Sequence, residues 1–93
     1  MGLLQVNSSF VMRGIGTVLM ATIKEGTLRK GVALNMPGER SASVSLIEKG
    51  SKNIDAAQAG MDVAVVVTAP EELFSKGQIL EFSEEGVEEK FRR

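Results

Sequence analysis

Three adjacent glutamate pairs, Glu71-Glu72, Glu84-Glu85 and Glu88-Glu89, are the sequence's best material for acid–base or metal chemistry. None stands in an apolar context that would raise a carboxyl pKa, and such pairs belong to solvated surfaces far more often than to catalytic dyads. The chain has no His and no Cys. A serine or threonine nucleophile therefore lacks its usual base, and thiolate chemistry, thiolate metal sites and disulfides are excluded. Gly14-Ile15-Gly16 begins a dinucleotide-type G-x-G, but Leu19 stands where the third small residue belongs, and no strand–helix–strand unit follows. No phosphate-cradling loop of the Walker type occurs, so neither GTP binding nor hydrolysis is expected. The inventory points to a non-enzymatic protein with no cofactor and no metal.

Binding chemistry is better represented. Residues 1–82 hold eight cations and eight anions, and the whole 93-residue chain carries a net charge of −1. A domain that holds nucleic acid by bulk electrostatics is clearly basic, so any RNA contact here must be local. Arg13, Lys49 and Lys52 are the candidates for phosphate contact, each with solvated loop cation as its plainer reading. Four Phe and no Trp or Tyr provide no evident stacking platform for single strands.

The elements that must position these residues are short strands. Turn signals recur at Gly14-Ile15-Gly16, Glu25-Gly26, Lys30-Gly31, Pro37-Gly38, Lys49-Gly50-Ser51, Ala59-Gly60 and Lys76-Gly77, with Val-, Ile-, Thr- and Leu-rich segments between them. In the first segment Leu4, Val6, Phe10 and Met12 are expected on one face, with Gln5, Asn7, Ser9 and Arg13 opposite. Over Thr17–Lys24, Leu19, Ala21 and Ile23 alternate with Val18, Met20 and Thr22, leaving both faces partly apolar. Val32–Met36 and Ser41–Glu48 read as a hairpin, with Ala42, Val44 and Leu46 on one face and Ser43, Ser45 and Ile47 on the other. Val63–Thr68 reads as a strand buried on both faces. Pro70–Phe74 suits one helical turn with Pro at its first position, and Gln78–Phe82 closes the set. Brief connections favour antiparallel neighbours, and closure into a barrel removes exposed edges.

Residues 83–93 differ in character. Val87 and Phe91 lie four apart, and four glutamates precede Lys90, Arg92 and Arg93, an order that suits the dipole of a short helix. A docked helix and a solvated tail both fit. The longest apolar run, Met61–Pro70, is interrupted by Asp62 and falls far short of the ~20 residues that span a bilayer. No basic, apolar leader opens the chain, Val6 stands where myristoylation wants Ser or Thr, and the Asn7-Ser8-Ser9 sequon has no secretory context. A cytoplasmic location is expected, and Met1 at the start reads as a free-standing chain.

These segments together carry a resemblance. Phe10–Val18, with Gly14, Gly16, Thr17 and Val18, resembles the opening of the second domain of translational GTPases. Ile23–Gly31, Val44–Glu48, Asp55–Val63 and Gly77–Leu80 resemble its later strands and turns in order, so the match runs from residue 3 to 82. The resemblance implies an all-β fold, a small antiparallel Greek-key β-barrel of the translation-factor second-domain type over residues 1–82. It implies a binding or docking module that accompanies a GTPase domain. The partners it implies are tRNA, the ribosome, or a protein such as that GTPase domain. A stand-alone protein-interaction barrel with no RNA ligand is the other reading.

In family members of the elongation factor Tu type the barrel receives the aminoacyl-adenosine end of tRNA. One wall of that pocket resembles Met12–Val18, which carries Met12, Arg13, Gly14 and Val18 over as contacts. The second wall is expected at Asp55–Gly60, beside the first, which brings in Gln58. The chain departs from the family pattern at Ile15, Ala56 and Gln58, where charged groups are replaced. The expected surface is thus a shallow apolar patch enlarged by Val18 and Met20, better suited to a protein segment than to a nucleotide.

Overall fold

A computed structural model describes residues 1–36, 38 and 40–83, with the side chain of Arg40 set aside. The expected helix or tail over 83–93 falls, from residue 84 on, outside the described residues.

The glycine-punctuated segments all form strands. In chain order these are β1 (Gly2–Met12), β2 (Gly16–Glu25), β3 (Thr27–Arg29), β4 (Ala33–Met36), β5 (Arg40–Lys49), β6 (Lys52–Ile54), β7 (Ala56–Gln58), β8 (Asp62–Val67) and β9 (Ile79–Phe82). The main sheet runs β4-β9-β1-β2-β8-β5-β6, and β4 also pairs with β5. That last pairing joins β4, β9, β1, β2, β8 and β5 into a closed antiparallel barrel of six strands. β6 folds back on β5 outside the ring, and β3 with β7 makes a separate two-stranded ribbon. Closure consumes the sheet edges that a flat sheet of this length would leave for aggregation.

Alternation fills the interior. Leu4 and Val6 of β1, Leu19, Ala21 and Ile23 of β2, Ala42, Val44 and Ile47 of β5 and Val63, Val65 and Val67 of β8 meet in one buried cluster with Leu34, Leu80 and Phe82. Aliphatic side chains dominate it, as the scarcity of aromatics requires. The Val63–Val67 run does face apolar surroundings on both sides. The turn after β8 is a single 3-10 turn at Glu71–Leu73, with Pro70 as its N-cap rather than its first residue. It lies beside β1, and two side chains pin it and the residues before it. Thr17 Oγ1 donates to the Ala69 carbonyl at 2.6 Å, and Ser9 Oγ donates to Glu71 at 2.9 Å.

Two expectations about faces fail, for one physical reason. Along β1 the register shifts between Val6 and Ser8, so Val6 faces Ala21 while Ser8 faces Met20. Asn7 is the extra residue of a β-bulge, which inverts the alternation beyond it. Leu4 and Val6 point inward, whereas Phe10 and Met12 are 41% and 43% exposed on the outer face. The same happens in β5 between Val44 and Leu46. Ser45 is extra there, Ile47 enters the core, and Leu46 turns outward.

Candidate binding cleft on the outer face

The two bulges build a surface. Phe10 faces Val18 across β1 and β2, Val18 faces Val66 across β2 and β8, and Val66 faces Leu46 across β8 and β5. These four side chains form one row across the outside of the barrel. The next row reads Ser8, Met20, Ala64 and Glu48. Met12 and Ile15 complete one end. Together they line an open cleft of about 140 Å³ in which Glu48 is the one charged side chain.

The floor and walls of this cleft differ. Val18 and Val66 retain 5% and 7% exposure yet stand apart from the core cluster. They are covered by their outer-face neighbours, not by the barrel interior. Phe10, Met12, Ile15 and Met20 keep 40–52% of their surface open to solvent. A contiguous group of exposed, large apolar side chains on one face marks a contact surface, unlike scattered exposed residues.

The turn that carries Met12 is specified locally. Ile15 N–H donates to the Met12 carbonyl at 3.0 Å, and Gly14 and Gly16 have φ of 80° and 128°. A side chain at either glycine would strain the backbone. Gly14-Ile15-Gly16 is therefore a hairpin corner between antiparallel strands, with no helix after it to receive a phosphate.

A second, more polar cleft of about 250 Å³ adjoins the first and shares Met20, Ala64 and Glu48 with it. Asn7 Nδ2 donates to Thr22 Oγ1 at 2.9 Å, and Thr22 Oγ1 donates to Asp62. This chain ties the bulged residue to β2 and β8. Lys49, Gly50 and Ser51 line the far side. Among the described residues every buried side-chain nitrogen and oxygen has a partner. No group of three or more His, Cys, Asp and Glu that could hold a metal occurs among them.

Of the residues singled out from the sequence, Met12 and Val18 line the apolar cleft. Arg13 and Gly14 sit in the exposed turn beside it. Lys49 lines the polar cleft, and Lys52 faces Lys49 across the β5–β6 hairpin. Gln58 lies elsewhere. It pairs with Thr27 in the β3–β7 ribbon, and Gly60 N–H donates to the Ile23 carbonyl at 2.7 Å. Ile23 is separated from Gly16 by most of β2, about 23 Å at ~3.3 Å per residue. The Asp55–Gly60 segment is thus not the second wall. That wall is β5, with Leu46 and Glu48, across the floor provided by Val66 and Ala64 of β8. The sequence held little sign of it: Ser8 breaks the apolar series of β1 next to the bulge at Asn7, whereas Ser45 fits the expected alternation of β5.

No family model matches the chain, and no curated protein matches it. Among solved structures, the apo form of translation elongation factor SelB from Methanococcus maripaludis is similar to it, with a TM-score of 0.76 and 26% identity. The match covers 90% of this chain and 19% of that one, so the chain spans about a fifth of the length of that structure. The strand order, barrel closure and this likeness agree with one another. The chain is built as a β-barrel domain of the translation-factor type.

Proposed function

We propose that this barrel is a non-enzymatic docking module of the cytoplasmic translation apparatus, and that its outer cleft takes the unpaired 3′-terminal base of a tRNA. The observation that carries this reading is the cleft itself, an apolar floor of Val18 and Val66 with a single carboxylate, Glu48, at its rim. A nucleobase has an apolar face and a hydrogen-bonding edge. Its face packs on the valines between Met12, Met20 and Leu46, while an exocyclic amine or a ribose hydroxyl donates to Glu48. Opposed chemistry of this kind suits a base better than a fully apolar side chain, which would leave Glu48 desolvated without a partner. The likeness to a translation elongation factor supports RNA as the partner class.

A protein segment is the second reading, favoured by the absence of any cation in the cleft lining. Titration of a fluorescent hexaribonucleotide ending in a free 3′ adenosine separates the two. Val18→Asp places a carboxylate on the floor and is expected to weaken binding more than tenfold while the melting temperature moves by only a few degrees. Unchanged RNA affinity in that variant contradicts the proposal, and RNA indifference with binding to a GTPase domain through Val18 favours the second reading.

A further inference from the structure

The chain has five methionines, and the fold treats them unequally. Met36 is buried in the core cluster. Met61 packs against that cluster, and its Sδ accepts the Gln58 N–H at 3.2 Å. Met1 is exposed ahead of β1, at the opposite end of that strand from the cleft. Met12 and Met20 line the apolar cleft, and both are exposed. Their cross-strand neighbours leave them so. Met12 faces Gly16, which has no side chain, and Met20 stands between Ser8 and Ala64. The row of Phe10, Val18, Val66 and Leu46 runs between the two, so one methionine flanks the valine floor on each side. Methionine is unbranched and polarizable, and its flexible thioether moulds to an apolar ligand face. The same thioether is the oxidisable group of the cleft.

We propose that Met12 and Met20 are a reversible oxidation site that controls whether the cleft accepts its ligand. This regulation rests on the RNA reading of the cleft. The oxidant is a peroxide. A sulfur lone pair attacks one peroxide oxygen, and an S–O bond forms as the O–O bond breaks. The departing hydroxide takes the remaining proton and leaves as water. Sulfur passes from thioether to sulfoxide while the peroxide is reduced. Each product sets a polar S=O acceptor at the edge of the floor, in a lining whose one charged group is the Glu48 carboxylate and which holds no cation. Packing an apolar face there strips water from an oxygen that finds no donor. A thiol-dependent reductase returns each sulfoxide to the thioether, with the oxygen leaving as water and the thiols becoming a disulfide, and so restores the apolar walls. The barrel itself is spared, because neither side chain belongs to the core cluster.

Graded oxidation tests it. The native chain is treated with hydrogen peroxide while sulfoxide at each methionine is followed by peptide mass spectrometry. Affinity for the hexaribonucleotide and melting temperature are read on the same samples. Met12 and Met20 are expected to convert alongside Met1 and well ahead of Met36 and Met61. Affinity should fall by roughly fivefold or more as they convert, with the melting temperature within a few degrees of native. It should return after treatment with both methionine sulfoxide reductases, one for each sulfoxide epimer. The variant Met12→Leu/Met20→Leu should hold its own affinity through the same treatment, although Met1 is still oxidised. Conversion of Met12 and Met20 with no loss of affinity overturns the switch and leaves the RNA reading standing. A loss that persists in the leucine variant, or that appears only with Met36 oxidation and unfolding, also overturns the switch. Conversion of Met12 and Met20 no faster than that of Met36 and Met61 does the same. No RNA binding by the reduced native chain overturns both.

Discussion

Val65 and Val66 follow one another on β8 and are 0% and 7% exposed, yet they serve different parts of the molecule. Val65 faces Leu19 and Ile47 inside the barrel, and Val66 faces Val18 and Leu46 outside it. The interior is closed on all sides by the ring of strands. The outer layer is one side chain deep and is covered only by Phe10, Met12, Met20 and their neighbours. Burial as such therefore does not identify the core. What distinguishes the two valines is whether the atoms around them are enclosed or free to be replaced by a ligand.

The comparison predicts unequal costs for similar substitutions. Val65→Asp puts an unpaired carboxylate among aliphatic side chains and is expected to cost on the order of 3 kcal/mol or more, enough to unfold a small domain. Urea denaturation checks it, and a melting temperature within a few degrees of native would mean that β8 is placed wrongly. Leu19→Ala, also interior, opens a cavity and should cost about 2–4 kcal/mol. Val18→Ala, one residue away but facing the outer layer, should cost only about 1 kcal/mol, because solvent or neighbouring side chains reach the vacated space. Equal losses at residues 18 and 19 would erase the distinction between the layers. Met20→Gln has the smallest expected effect on folding, within about 0.5 kcal/mol, since Met20 is 40% exposed. It should nevertheless weaken RNA binding several-fold, which sharpens the contrast between stability and recognition.

Much of this architecture was legible in the residues. The turn glycines separate the strands, Leu19, Ala21 and Ile23 mark the inner face of β2, and the Val63–Val67 run marks a strand covered on both sides. The G-x-G-T-V opening located one wall of the cleft. Phe10, Met12 and Leu46 were misplaced because period-two reading assumes an unbroken strand, and a single inserted residue at Asn7 or Ser45 reverses every side chain beyond it. Nothing in the local chemistry of Asn7 or Ser45 announces a bulge. Gln58 was misplaced for a different reason. Pairing between distant segments is set by the whole barrel, and the short Thr27–Arg29 and Ala56–Gln58 strands carry little pattern of their own. Glu48 was passed over since its significance comes from its cross-strand neighbour Ala64 and the valine floor beside it.

The central claim is that the outer layer, and not the Asp55–Gly60 turn or the barrel interior, receives the RNA end. Methyl-resolved NMR during titration with the 3′-adenosine hexaribonucleotide tests it most directly. The account predicts progressive shifts at Met12, Val18, Met20, Leu46 and Val66, with Val65, Ala57 and the methyls of the inner cluster unmoved. Shifts confined to Ala56 and Ala57 with the Val18 and Val66 methyls unmoved would contradict it.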